Sequence, residues 1–154
     1  MNYWLFKSEP DEYSLDDLAN EKQGFGVWDG IRNYQARNIL RDQVSVNDKV
    51  LFYYSSCKIP GVAGIAQVVK SAYPDPAQFD PSSKYYDSKA TPEKPRWFCV
   101  DVKFVKKFDQ VVTLKSLKMQ QPLSEMTLLK QGRLSVQPVT ESEWHYIVTL
   151  AKAQ

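Results

Sequence analysis

Apolar and polar positions alternate along this chain in short runs, and each run predicts an element. Residues 3–7 read as a strand of aromatics and Leu, ended by Glu9-Pro10. Ser14-Leu15-Asp16-Asp17 has the form of a capping box with Asp as the acid, and predicts a short helix to about Asn20. Between Gly24 and Gly30, Val27-Trp28 reads as a short strand or its edge and Asp29-Gly30 as a turn. Residues 33–41 have helical spacing, with Ala36, Ile39 and Leu40 as the apolar stripe. Asn33, Arg37 and Arg41 fall on an adjacent polar face. Residues 49–55 and 61–69 are β-type runs, and Gly61 and Gly64 suit the bends of a barrel corner.

Residues 74–95 hold five of the nine prolines and predict a long irregular excursion, of a kind that is usually functional or mobile. Residues 97–108 alternate, with Val100, Val102 and Phe104 on one side and Asp101 and Lys103 on the other. Short elements follow: a strand at 111–114, helical turns at 116–119 and 127–131, and a brief strand at 134–136. Thr140-Glu141-Ser142-Glu143 is a second capping box, opening a helix that buries Trp144, Ile147, Val148 and Ala151. Strands outnumber helices. The expectation is an α+β fold: one domain over residues 1–154, a small bent mixed or antiparallel barrel with short helices packed around it.

Composition narrows the chemistry. Twenty Lys+Arg against eighteen Asp+Glu give +2, so bulk charge draws in neither nucleic acid nor membrane. The longest apolar run, residues 50–54, is far short of the ~20 residues of a membrane span. The N-terminal stretch has no apolar region or small-residue cleavage site of a signal peptide. Two cysteines 42 positions apart and one histidine leave no metal-ligand spacing, and they fit a reducing compartment. His145 lies off the apolar face of the last helix, beside Thr149. Walker, GxSxG and HExxH motifs are absent, and Gly24-x-Gly26 lacks the third glycine of a dinucleotide fingerprint. No cofactor is expected, and weight moves from catalysis towards binding. The unusual count is aromatic: 4 Trp, 9 Tyr and 7 Phe.

Polar residues cluster beside those aromatics at four strand ends. In Lys7-Ser8-Glu9-Pro10 an extended chain sends Ser8 to the face of Trp4 and Phe6, and Lys7 and Glu9 to the other. This is either the mouth of an aromatic cavity or a surface Lys–Glu pair with a turn serine. In residues 28–34 an indole is followed at once by Asp29, Gly30, Arg32 and Asn33. An indole stacks on a flat ring, a carboxylate accepts from an N–H, and an amide both donates and accepts. Arg32, with Arg37 and Arg41 behind it, suits a phosphate. The alternative places Trp28 in the core, Asp29 as a helix cap and the arginines in solvent. In Tyr53-Tyr54-Ser55-Ser56, alternation sends Tyr53 with Ser55 one way and Tyr54 with Ser56 the other. Arg133-Leu134-Ser135-Val136-Gln137-Pro138 joins Arg, Ser and Gln to a proline that removes a donor; Ser135 is either a site hydroxyl or paired with backbone. Charge is segregated too. Residues 9–21 hold six acids and no base, and residues 84–107 hold seven bases and three acids. These are two solvated faces or, for the basic one, a phosphate track.

At these segments the sequence resembles the EVE-domain family, including its thymocyte nuclear protein type. The matching stretches are residues 3–10, 28–38, 52–55, 61–66 and 133–138. Where the family often has His after the strand-end aromatic, this chain has Tyr54. The resemblance implies a PUA-like barrel related to YTH domains, with a pocket for a modified base flipped from RNA or DNA. By that analogy Trp28 is a cage wall, Lys7, Ser8 and Asp29 lie around the pocket, and Arg32, Asn33, Tyr53, Ser55, Arg133 and Ser135 flank it. Trp97 is the candidate for closing the cage. The implied partner is RNA or DNA carrying a modified base, met in the cytoplasm, or in the nucleus of a eukaryote. Two alternatives stand beside this one. The first is a small ASCH-like amidohydrolase acting on a modified nucleoside through Lys7, Ser8 and Glu9. The second is a protein-interaction adaptor using the proline-rich excursion and the basic stretch.

Overall fold

The computed structural model describes residues 1–153. Six strands form one sheet in the order β2-β5-β4-β3-β1-β6. They are β1 (Tyr3–Ser8), β2 (Gly26–Trp28), β3 (Lys49–Tyr54), β4 (Gly61–Pro74), β5 (Phe98–Thr113) and β6 (Val136–Val139). β1 and β3 run parallel, from Tyr3 opposite Lys49 to Ser8 opposite Tyr54. The other pairs are antiparallel. Helices α1 (Leu15–Ala19), α2 (Tyr34–Asp42), α3 (Leu114–Lys118), α4 (Thr127–Lys130) and α5 (Glu141–Ala153) fill the connections and close the chain.

The period-2 pattern sorts side chains to two cores. Trp4, Phe6, Trp28, Phe52, Val100 and Val102 meet Leu15 and Leu18 of α1 and the predicted Ala36, Ile39 and Leu40 stripe of α2. Leu5, Leu51, Tyr53 and Val112 meet Leu117, Leu128, Trp144 and Ile147 on the opposite face. Each such side chain contributes roughly 1.5–3 kcal/mol by leaving water. Both capping boxes form: Ser14 Oγ accepts from Asp17 N and Asp17 Oδ2 from Ser14 N. Thr140 and Glu143 exchange the same pair of bonds. Val148 is half-buried at the margin of the second core rather than within it.

The sheet curls. β2 lies at one edge of the strand order, yet the Trp28 ring is 5.4 Å from Phe6 of β1 and 5.3 Å from Phe52 of β3. That approach requires the β4–β5 hairpin to bend, and its register shifts at four places. Gly64 allows one of them, because a Cβ there would collide with the Lys106 carbonyl oxygen. The bends also explain why the runs at 97–108 and 111–114 are one strand: the register shift interrupts alternation without ending the ladder. The strand predicted at 134–136 starts instead at Val136 and runs through Pro138. β6 is an edge strand, where a missing N–H is tolerated.

The excursion at 74–95 is pinned at its root. Gln78, fully buried in a 3₁₀ turn (Pro76–Phe79), donates to the carbonyls of Asp75 and Trp97, both at 2.8 Å. Its Oε1 accepts from the N–H groups of Arg96 and Trp97. This closure folds residues 84 and 85 back over the ends of β1 and β2.

Candidate functional site

A cavity of about 1050 Å³ opens where β1, β2 and β3 end. It is large enough for a nucleoside with its phosphates rather than a bare ring; ligand sites commonly span ~300–1,000 Å³. Four chain segments predicted from sequence converge on it: Lys7, Ser8 and Glu9; Trp28, Asp29 and Arg32; Ser55 with Ser56; and Arg133 with Ser135.

Trp28 is both core and wall. It is 7% exposed, its ring packs against Phe6, Phe52 and Tyr13, and it still borders the cavity. Asp29 follows at the open side. Although the residue is exposed, packing around its carboxylate desolvates it, and this raises its pKa. Repulsion from Asp75 adds to the rise; its own backbone N–H and Arg32 oppose it. The Lys7 ammonium is lowered by burial and donates to the Gly132 carbonyl. Ser135 serves through its backbone, its carbonyl accepting from Lys7 N at 2.9 Å. Ser55 and Ser56 both reach the cavity, because the chain leaves β3 after Tyr54 and turns at Ser56 with φ +52°. Strict alternation past Tyr54 therefore does not hold.

Several expected roles are corrected. Tyr53 is 3% exposed and belongs to the second core, on the face away from Trp28. Asn33 does not border this cavity; its Oδ1 caps α2 by accepting from Ala36 N at 3.0 Å. Trp97 does not close a cage: it is 6% exposed, stacks on Tyr34 at 4.8 Å, and donates from Nε1 to Asp87. Arg32 borders the cavity but is bound to Asp75 and to the Ile31 and Tyr85 carbonyls, so it is not available as a phosphate hook. Arg37 is engaged by Asn38 and the Arg96 carbonyl, and Arg41 by Asp42. Tyr54 accepts the Leu15 N–H through its hydroxyl and anchors α1. The acidic and basic stretches partly neutralise each other, through Glu12–Lys84 at 2.9 Å and Asp16–Lys107 at 3.0 Å.

What sequence reasoning missed is Tyr85, the aromatic that the excursion brings to this cavity. A Cβ on Gly30, whose φ is +79°, would lie 2.8 Å from the Tyr85 ring, so glycine is needed there both for backbone and for space. Lys84, Glu12 and Tyr13 also border the cavity. For Lys84 and Tyr85 the signal in the sequence was the Lys84-Tyr85-Tyr86 run inside the proline-rich segment, and for Glu12 it was the acidic stretch at 9–21.

Lys7, Ser8 and Glu9, the amidohydrolase set, all border the cavity, but their side chains make no hydrogen bond to one another. Ser8 Oγ donates to the Tyr13 carbonyl at 2.6 Å, Lys7 is bound to Gly132, and Glu9 is exposed. A nucleophilic hydroxyl needs a base on its proton, and here a carbonyl holds it. The excursion, rather than standing off as a docking segment, is part of the cavity rim. Among the described residues no group of three or more His, Cys, Asp or Glu is placed to hold a metal ion, and no helix is long and apolar enough to cross a membrane. Cys57 and Cys99 are free thiols, and burial pushes that of Cys99 up to about 12.

A curled mixed sheet, helices on both faces, and an aromatic-walled cavity at the strand ends define a PUA-like domain. The family model described as the EVE domain matches residues 2–150. The chain belongs to the EVE-domain family. It is 40% identical to mouse thymocyte nuclear protein 1 over 170 residues, covering 99% of this chain and 75% of the mouse protein. It superposes on human THYN1, solved in complex with 5-methylcytosine-containing DNA, with a TM-score of 0.95 and 36% identity, covering 100% of this chain and 99% of that one. A hypothetical protein from Leishmania major matches with a TM-score of 0.95 and 54% identity, covering 100% and 96%.

Proposed function

We propose that this chain is a non-catalytic nucleic-acid-binding module that reads a modified nucleobase flipped into the cavity, with 5-methylcytosine as the modified base. The observation that carries the reading is Trp28, which borders the cavity beside the hydrogen-bonding groups of Asp29 and Ser8. The human relative's complex with 5-methylcytosine DNA supports it. In this reading the indole supports the flipped ring, and Tyr85 supplies a second aromatic surface. Asp29 accepts from the exocyclic amino group. Lys7 and Arg133 balance the phosphate charge at the rim, and Ser8, Ser55 and Ser135 complete the polar lining.

Base-on-aromatic stacking contributes about 1–3 kcal/mol. A buried methyl adds about 0.8 kcal/mol, so the modification is distinguished severalfold unless a hydrogen bond also changes. The module works without a cofactor, as one domain spanning residues 1–154. It acts where its RNA or DNA lies: the cytoplasm, or the nucleus if its host is a eukaryote. Titration of matched oligonucleotides with cytosine or 5-methylcytosine, followed by fluorescence anisotropy, tests this. Tighter binding of the methylated strand is expected; equal binding of both overturns the proposal.

A further inference from the structure

A second cavity of about 250 Å³ adjoins the first, and the two share Gly132 and Arg133. Its chemistry differs from that of its neighbour. Asn33, Gln35 and Gln131 border it, and Arg133 is its one ionisable side chain. Gln35 Nε2 donates to Gln131 Oε1 at 3.3 Å, which leaves an acceptor on Gln35 and a donor on Gln131. Asn33 gives its Oδ1 to the α2 cap and keeps its Nδ2 donors. Neutral amides offering donors and an acceptor suit the edge of a base rather than a phosphate.

Arg133 supplies the charge these amides lack. It is exposed and, among the described residues, makes no hydrogen bond or ion pair. Arg32, the other arginine that borders these two cavities, is engaged by Asp75 and the Tyr85 carbonyl. The turn that carries Gln131 and Arg133 is braced from beneath. Buried Gln137 donates from Nε2 to the carbonyls of Gln131 at 2.9 Å and Leu134 at 2.8 Å, and Lys7 donates to the carbonyl of Gly132. A turn held at three carbonyls presents its side chains with little ordering left to do on binding.

We infer that the second cavity is a subsite for the nucleotide next to the flipped base. Its amides meet the edge of the neighbouring base, and Arg133 meets the phosphate that joins the two nucleotides. This rests on the base-reading function proposed above and extends it: the ligand is at least a dinucleotide, and sequence context beside the modified base enters the affinity.

The test uses the full chain and single-stranded oligonucleotides with one 5-methylcytosine, the four bases varied on each side, and unmodified counterparts. A preference for one flanking base of about fivefold or more is expected, as for a good amide–base contact. Gln35→Ala combined with Gln131→Ala should level that preference to within about twofold and leave the preference for 5-methylcytosine over cytosine intact. Replacing the joining phosphate by a neutral methylphosphonate should weaken wild type but not Arg133→Ala. Retained discrimination of 5-methylcytosine with no flanking preference, or with one the amide variant does not alter, overturns the subsite and leaves the base reader standing. Loss of that discrimination with every flank overturns both.

Discussion

Arg32 and Tyr85 hold each other at the rim of the large cavity, 53 residues apart in the chain. The guanidinium donates from Nε and Nη2 to the Tyr85 carbonyl, at 3.1 and 2.8 Å, and lies 5.3 Å from the centre of the tyrosine ring. Its Nη1 donates to Asp75, which is fully buried and also accepts from the N–H groups of Gly30 and Ala77. One planar cation thus fastens the excursion to the turn that follows Trp28. An ammonium has no fork with which to do this.

Arg32→Lys is therefore expected to loosen Tyr85 while keeping the charge. Charged hydrogen bonds contribute about 1.5–3 kcal/mol each, so a stability loss of about 1–3 kcal/mol is expected. Urea unfolding measures it, and oligonucleotide affinity should fall in the same variant. Unchanged stability and affinity would mean that the clamp does not position the site.

Gly30→Ala should act on the same contact from the other side. The methyl meets the Tyr85 ring, and φ of +79° is a strained conformation for alanine. A loss of roughly 1–2 kcal/mol from backbone strain is expected, with weaker binding because Tyr85 is displaced. Melting temperature and anisotropy titration read the two effects separately.

For Trp28, the informative substitution is Phe rather than Ala. The indole is 7% exposed, and Trp→Ala in a core costs about 3–5 kcal/mol, enough to confuse unfolding with lost recognition. Trp28→Phe keeps an aromatic in the contact with Phe6 and Phe52. It is expected to stay folded by circular dichroism and to bind the methylated oligonucleotide severalfold more weakly.

Asp29 gives a pH signature. Its raised pKa means that the folded chain holds this proton more tightly than the unfolded chain does. The stability linked to this carboxyl is thus fully present below the ordinary carboxylate range. It is lost as pH rises from that range through the raised value. Asp29→Asn removes the dependence. Near neutral pH the variant should melt above wild type, and the gap should close on acidification. Its affinity for the flipped base should fall, since an amide replaces the acceptor with a mixed donor and acceptor.

At the rim, Glu12 and Lys84 pair across the opening with both side chains largely in solvent. Glu12→Gln should leave the melting temperature unchanged, because exposed pairs contribute little. It removes an anion from the path of a phosphate chain and frees Lys84, so affinity should rise, most at low ionic strength. A salt titration of both proteins checks this.

Much of the fold was legible before any coordinates. The two capping boxes, the α2 stripe and the strand character of β1 and β3 are local and formed as read, whereas the two runs read at 97–108 and 111–114 are one strand in which Asp101 is buried. The candidate site was legible in part. Lys7, Ser8, Trp28, Asp29, Arg32, Ser55, Arg133 and Ser135 do border one cavity. Asn33 and Tyr53 do not, and for definable reasons. A residue that opens a helix finds an orphan backbone N–H closer than any ligand. A residue inside a strand belongs to whichever face its register assigns.

Hydrophobic spacing and cap chemistry determined the elements by themselves, because those forces act between residues two to four apart. Where the elements meet was decided only in three dimensions. The curl of the β4–β5 hairpin set Trp28 beside Phe6, and the buried Gln78 turned the excursion back so that Tyr85 reached Arg32. Such contacts depend on the summed twist and bulges of a whole sheet, and no short stretch of residues encodes that sum.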